Sequence, residues 1–372
     1  RPKDTQLRDE FKRRRYLCIM ETSMQSTGRS RAIAIWLFTG VGMIMVQVLL
    51  GGITRLTGSG LSITEWKPIL GALPPMNETD WQAAFRQYQQ IGQFKHINFD
   101  FTLSDFKFIY FWEWFHRVWA RLIGLVFLFP FLWFVWRRMI AREMVVPMII
   151  LFLLGGLQGG LGWIMVKSGL NEEDVRVSHI RLAIHFMAAL ILLAYTLWFA
   201  FRLTVPAGDR IHDPALKRGW RSALVLLFFQ LVYGAFMAGL HAGNFAPTWP
   251  DMNGQWIPEG MTGSGFGFFL TDNPFMVQFI HRGLGYLTAA FVILMYFRSA
   301  DVAGMLRLSR ARHWPVLLVV VQVLLGIFTV SYSDVPSVLL WLGVAHQFVA
   351  MLLMMSMLRM YYLVSGGQPM AG

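Results

Sequence analysis

A single cysteine, Cys18, stands in 372 residues. An internal disulfide needs two thiols, and a cysteine-held metal or iron–sulfur site needs more, so both are excluded. Charge is scarce as well: 15% of the residues are Asp, Glu, Lys or Arg, against 55% that are hydrophobic. With a mean hydropathy of +0.48, the chain carries more apolar surface than a water-soluble domain can bury. It reads as an all-α protein of the lipid bilayer. Lys and Arg are wholly missing from residues 242–280, so the net charge of +12 is not spread evenly. The basic residues gather in the N-terminal stretch and in short connectors between apolar runs. That is an orientation signal of membrane proteins and not a nucleic-acid footprint, so no nucleic-acid partner is expected.

Eight apolar runs are long enough, or nearly so, to cross a bilayer core of ~30 Å at about 20 residues each. They cover roughly residues 32–51, 117–136, 145–166, 182–203, 220–241, 276–297, 314–331 and 338–363. Only helices satisfy their own backbone inside lipid, so eight transmembrane helices are expected. Basic connectors near 137–142, 202–221 and 298–312 put both termini in the cytoplasm, or its mitochondrial equivalent. The loops 52–116 and 242–275 then lie outside. The polar stretch 1–31 shows no signal-peptide pattern and is expected to be a flexible cytoplasmic tail.

The runs repeat. Gln47-Val-Leu-Leu-Gly51-Gly52 matches Gln230-Leu-Val-Tyr-Gly234-Ala235, and His116-Arg117 matches His281-Arg282. Gln158 with Gly162 matches Gln322 with Gly326, and Ala183-Ile-His185-Phe186 is echoed by Ala345-His346-Gln347-Phe348. The last three matches recur at a nearly constant offset, and the first is wider because the first outer loop is longer. Four helices per unit keep the orientation of both copies. The expected architecture is therefore two parallel-duplicated four-helix bundles, 32–203 and 220–363, joined by a cytoplasmic linker 204–219 and followed by a tail 364–372. Glutamines and small residues at matched places suit close helix packing.

His116, His185, His281 and His346 lie in these runs, one pair per bundle. A lone membrane histidine is commonly a helix-to-helix hydrogen bond. Four in a duplicated pattern point to axial ligation of two haem irons, since ionisable residues inside a membrane are functional by default. Arg117 and Arg282, directly after two of the histidines, could hold haem propionates at the aqueous rim or contact the outer loops, and so could Arg55. Glu113-x-x-His116 also has the spacing of carboxylate-bridged di-iron bundles. The second half, however, offers Gln278-x-x-His281 and no inward acid. Five further histidines have no repeat partner: His96, His179, His212, His241 and His313. His179 and His241 fall at outer helix ends and could approach a haem rim, although an ordinary packing role is the plainer reading. The Gly-rich loop Gly51–Pro68 contains one carboxylate, Glu65, with no counterpart in the second half. Glu65 is either a catalytic acid on the acting half or a solvated loop residue.

The run Gly-Gly-Ile-Thr-Arg-Leu-Thr-Gly-Ser-Gly-Leu-Ser from Gly51, closing on Trp66-Lys67-Pro68, resembles the haem A synthase family. So do Glu113-x-x-His116-Arg117, His281-Arg282 and His346, and the likeness spans about residues 32–363. It is closest to the mitochondrial and proteobacterial branch that lacks the loop cysteine pair. The resemblance implies an enzyme that oxidises a ring methyl of haem O to the formyl group of haem A, with water as oxygen source, for cytochrome c oxidase biogenesis. It implies that His116 and His185 ligate the substrate haem in the N-terminal half and that His281 and His346 ligate a haem B cofactor. The catalytic acid would be Glu65. Partners would be a haem O synthase and the oxidase assembly machinery, with an electron acceptor the sequence does not identify and room for a homo-oligomer. The location would be the bacterial cytoplasmic membrane, or the mitochondrial inner membrane in a eukaryote. A dihaem b-type quinol cytochrome and a haem carrier in oxidase assembly are the competing readings.

Overall fold

The computed structural model describes residues 30–65, 70–261, 266–300 and 306–366. Most of the expected tail 1–31, the Trp66-Lys67-Pro68 end of the loop motif and the end of the tail 364–372 lie outside the described residues. Eight helices are long and apolar enough to cross a membrane. We number them α1 Ser30–Leu56, α2 Leu103–Trp136, α3 Arg142–Lys167, α4 His179–Thr204, α5 Pro214–Leu240, α6 Pro274–Arg298, α7 His313–Ser331 and α8 Pro336–Leu363. Each coincides with one of the apolar runs, and no strand is found among the described residues.

Two boundaries differ from expectation for local reasons. Helix α2 begins at Leu103, well before its apolar run, because Thr102 and Asp105 form a reciprocal capping box. Its added turns bury Phe106 and Ile109 in a small apolar cluster with Leu61, Phe85, Tyr88 and Ile91 of the first outer loop. Helix α5 begins at Pro214, inside the stretch read as linker. Asp213 accepts from the N–H groups of Ala215 and Leu216, and proline suits the first helical position.

In the second half, contacts run α5 to α6, α6 to α7, α7 to α8 and α8 back to α5. In the first half, α3 packs along α4 but meets α2 only sparsely. The halves join through α4, α5 and α8. One apolar core is continuous across them, from Leu37 on α1 through Leu193, Leu227 and Met295 to Met357 on α8. The outward faces of α2 and α3 carry large exposed apolar residues such as Phe129, Leu132, Leu153 and Leu157. Such faces suit lipid.

Candidate functional site

Each odd-numbered helix carries Gln-x-x-x-Gly, and the next helix carries the histidine. Residues four apart stack on one helix face, so the amide and the glycine address the same ring. Gln47 Nε2 lies 3.2 Å from Nδ1 and 3.1 Å from Nε2 of His116. Gln158 Nε2 lies 3.2 Å from His185 Nδ1 and donates to the His185 carbonyl at 2.9 Å. Gln230 Nε2 is 3.4 Å from His281 Nε2, and Gln322 Nε2 is 3.2 Å from His346 Nε2. A Cβ added to Gly51, Gly162, Gly234 or Gly326 would stand 3.2, 2.9, 3.2 or 3.1 Å from the Cε1 atom of the facing imidazole. With any larger residue the ring would have to retreat, most of all at Gly162. The same five-residue unit thus seats all four histidines, once per helix pair, a finer repeat than the two-fold one visible in the sequence.

The histidines fall into two pairs. His116 lies near His185, and His281 lies near His346. The amide oxygens of Gln47, Gln158, Gln230 and Gln322 are buried without a partner, as are the Nδ1 atoms of His281 and His346. Buried polar atoms are ordinarily paired, so this many orphans in one layer mark a place built for something more. In the second half, two imidazoles each with a spare ring nitrogen, set against glycines, fit the ligands of a haem iron. A half-turn of each glutamine amide would let its oxygen accept the other ring N–H, the usual way a ligating histidine is oriented.

The arginines after two of the histidines hold loops. Arg282 donates to the carbonyls of Ala246 at 3.0 Å, Thr248 at 2.8 Å and Asp251 at 2.8 Å. Arg117 donates to the Ile63 carbonyl at 3.1 Å and the Glu65 carbonyl at 3.4 Å. Three residues before each histidine stands a buried side chain that serves the same loop. Gln278 donates to the Ala246 carbonyl at 2.8 Å. Glu113, 2% exposed, accepts from Ser62 Oγ at 2.7 Å and the Ile63 N–H at 2.8 Å, and is paired with Arg117. With its oxygens turned to the loop and to Arg117, Glu113 is not aimed at a metal beside His116, which removes the acid that the di-iron reading requires.

Glu65 is exposed and accepts from Gln87 Nε2 at 2.9 Å. Its loop is fixed from beneath by the Glu113–Arg117 pair and from the side by Gln93, which donates to the Gly58 carbonyl at 3.1 Å. Gln93 in turn accepts from Tyr88 at 3.0 Å, and burial pushes the Tyr88 phenol up to about 12. The sequence contained the Glu113/Gln278 correspondence, but nothing in it said that both would grip a loop.

Arg55 lies where the halves meet, donating to the Ala238 carbonyl at the end of α5. His241 ends that helix in the left-handed conformation, φ 52°. Its imidazole is pushed down to about 4, first by burial and then by the charges of Arg55 and Arg176. His179 is 3.5 Å from Asp272 and packs edge-on to Phe236. These two histidines sit at the junction of the halves, away from the four units, and His212 bridges to Ser365 at the opposite end.

Residues 34–358 match the model of the COX15-CtaA family, described as cytochrome oxidase assembly protein. The chain is 43% identical over 328 residues to the heme A synthase of Sphingopyxis alaskensis, covering 87% of this chain and 90% of that one. It is 44% identical over 335 residues to the heme A synthase of Rhodopseudomonas palustris strain TIE-1, covering 88% of each. It is 40% identical over 330 residues to the heme A synthase of Flavobacterium psychrophilum, covering 87% and 96%.

Proposed function

From the premise that this chain belongs to the COX15-CtaA family of cytochrome oxidase assembly proteins, we propose how its residues divide the work of a haem A synthase. The activity is the oxidation of haem O to haem A for cytochrome oxidase, in a multispanning membrane protein. His116 and His185 hold the substrate haem, and His281 and His346 hold haem B. When bound there, haem B supplies one-electron redox chemistry. The observation that carries this assignment is the Gln-x-x-x-Gly seat, repeated at all four histidines. What favours the N-terminal pair for substrate is Glu65, the one carboxylate of Gly51–Pro68, with none at the matching place in the second half.

Converting a ring methyl to a formyl group with water as oxygen source releases four protons and four electrons. An external electron acceptor takes the electrons. Glu65 accepts protons as water adds, or stabilises positive charge developing at the methyl carbon. Glu113 and Arg117 hold the Glu65 loop over the His116 turn, and Gln47 and Gln158 orient the two imidazoles. Positive-inside distribution puts this loop outside a bacterial cytoplasmic membrane, or a mitochondrial inner membrane, with both termini inside. A haem O synthase would supply the substrate.

The test is extraction and chromatographic identification of the haems from protein made in cells that also make haem O. Haem B together with haem O or haem A is expected. The His346→Ala variant should lose haem B and activity while retaining the farnesylated haem. Haem B alone, at two per chain, would turn the reading to a dihaem electron-transfer cytochrome and make Glu65 an ordinary loop acid.

A further inference from the structure

Gln347 follows His346 on α8 and belongs to none of the four seats. Its Nε2 donates to the Val48 carbonyl of α1 at 3.1 Å. Val48 adjoins Gln47, the residue that addresses His116. Its carbonyl is also the one that, in a helix, receives the Gly52 N–H. Gly52 is buried, and a Cβ there would overlap the Gln347 amide oxygen. The two adjacent glycines of α1 therefore have different tasks. Gly51 makes room for the imidazole of its own half, and Gly52 makes room for an amide from the other half.

At the matched place in the second half, the pair is Gly234-Ala235, and the residue after His185 is Phe186. Phe186 packs against the apolar cluster that contains Ala235. The reciprocal contact is thus purely apolar, and the polar bridge runs in one direction only. It links consecutive residues and hydrogen bonds: His346 to Gln347, Gln347 to Val48, Val48 to Gln47, and Gln47 to His116.

We propose that Gln347 is a positioning residue that couples the two histidine pairs, tying the α8 turn that bears His346 to the α1 turn that seats His116, so that filling the first half is sensed in the second. The proposal rests on the assignment of one haem to each pair. A shift of α1 as His116 takes up a ligand moves the Val48 carbonyl. The Gln347 side chain, locked between that carbonyl and Gly52, carries the shift to the residue beside His346. An apolar side chain there would slide and transmit little.

The test uses full-length protein made with and without a co-produced haem O-forming enzyme. The readouts are the midpoint potential and the low-temperature EPR signature of the haem held by His281 and His346. In the unaltered protein both are expected to shift when the N-terminal half is filled. Gln347→Met should keep the bis-histidine haem and lose the shift. Gly52→Ala, which pushes the amide aside from the opposite partner, should lose it too. Combining Gly52→Ala with Gln347→Ala removes the collision, so that variant should recover normal yield without recovering the shift. A shift of normal size in Gln347→Met overturns the proposal, as does no shift in the unaltered protein. If the unaltered protein holds no bis-histidine haem in the second half, the assignment beneath the proposal fails and takes the coupling with it.

Discussion

Gly162→Ala is the sharpest test of the histidine seats. The new Cβ would lie 2.9 Å from Cε1 of His185, 3.4 Å from Nε2 and 3.5 Å from Nδ1. Carbon atoms rest at about 3.5–4.0 Å, so the ring must retreat by roughly 0.6 Å or more. Overpacking of this kind costs about 1–3 kcal/mol. Alanine in a helix returns about 0.5–1 kcal/mol relative to glycine. The net effect on folding is therefore modest, about 0–2.5 kcal/mol, whereas on the proposed assignment a displaced imidazole loses its aim at the iron. Disturbing the surroundings of a metal ligand typically weakens binding about 10–100-fold. The expectation is a protein of near-normal stability that releases its N-terminal haem much faster to an apomyoglobin acceptor. Gly42→Ala on α1 and Gly283→Ala on α6 are the controls, because nothing lies within 4 Å of a Cβ at either place. They should retain haem fully. Unchanged haem retention in Gly162→Ala, or equal losses in the controls, would refute the idea that the missing Cβ seats the imidazole.

Two further outcomes concern the loop and the junction. Glu65→Ala is expected to keep haem B but leave haem O or a hydroxylated form unconverted, whereas Glu113→Gln breaks a buried ion pair, costs about 3–5 kcal/mol and frees the loop to proteolysis; haem A at the normal level from Glu65→Ala would end its catalytic assignment. His241 is held neutral, its pKa lowered to about 4 by burial and by Arg55 and Arg176. In the unfolded chain it would protonate near 6.5, so its contribution to stability is present above that pH and is lost as pH falls toward 4. His241→Gln should flatten the decline in thermal midpoint between pH 6.5 and 4, and an unchanged slope would show that other groups set it.

The spans and the four histidines were legible in the sequence because a bilayer imposes a length, and because an imidazole in an apolar run is conspicuous. Gln-x-x-x-Gly was equally visible, yet its meaning was not. Glutamine and glycine in a membrane helix suit generic packing, and only the facing ring shows that the glycine is a clearance and the amide a prop. Arg117 and Arg282 were read as propionate or loop contacts. Both hold loops, contacts that depend on where Ile63, Thr248 and Asp251 fold back, which no periodicity encodes. The start of α2 at Leu103 was missed because hydropathy stops where a helix becomes amphipathic, while the capping box that starts it is a polar signal. The Gln347–Val48 bond joins positions 299 apart in the chain, and no local pattern reaches across that distance.

The two halves differ where α3 and α7 correspond. With Gln158 matched to Gln322 and Gly162 to Gly326, Gly155, Gly156, Gly159 and Gly160 of α3 stand against Val319, Val320, Val323 and Leu324 of α7. Val319 is 2% exposed, filling its half, whereas a Cβ at any of the four glycines would meet nothing within 4 Å. Gly124 on α2 has the same open surroundings, and α2 touches α3 only sparsely. Gly155, Gly156 and Gly159 are exposed, so this room opens on the outer face of α3. Haem O differs from haem B by a long farnesyl chain, so the half that must admit the bulkier molecule from the bilayer is the one expected to be open. Giving α3 the residues of α7 at two of these places, Gly159→Val with Gly160→Leu, should exclude the farnesylated haem while leaving haem B bound through His281 and His346. The measurement is the ratio of haem O plus haem A to haem B in the extracted protein, with several-fold depletion expected. An unchanged ratio would mean that the glycines of α3 serve helix packing and not substrate, and that the asymmetry between the halves has to be sought in the loops.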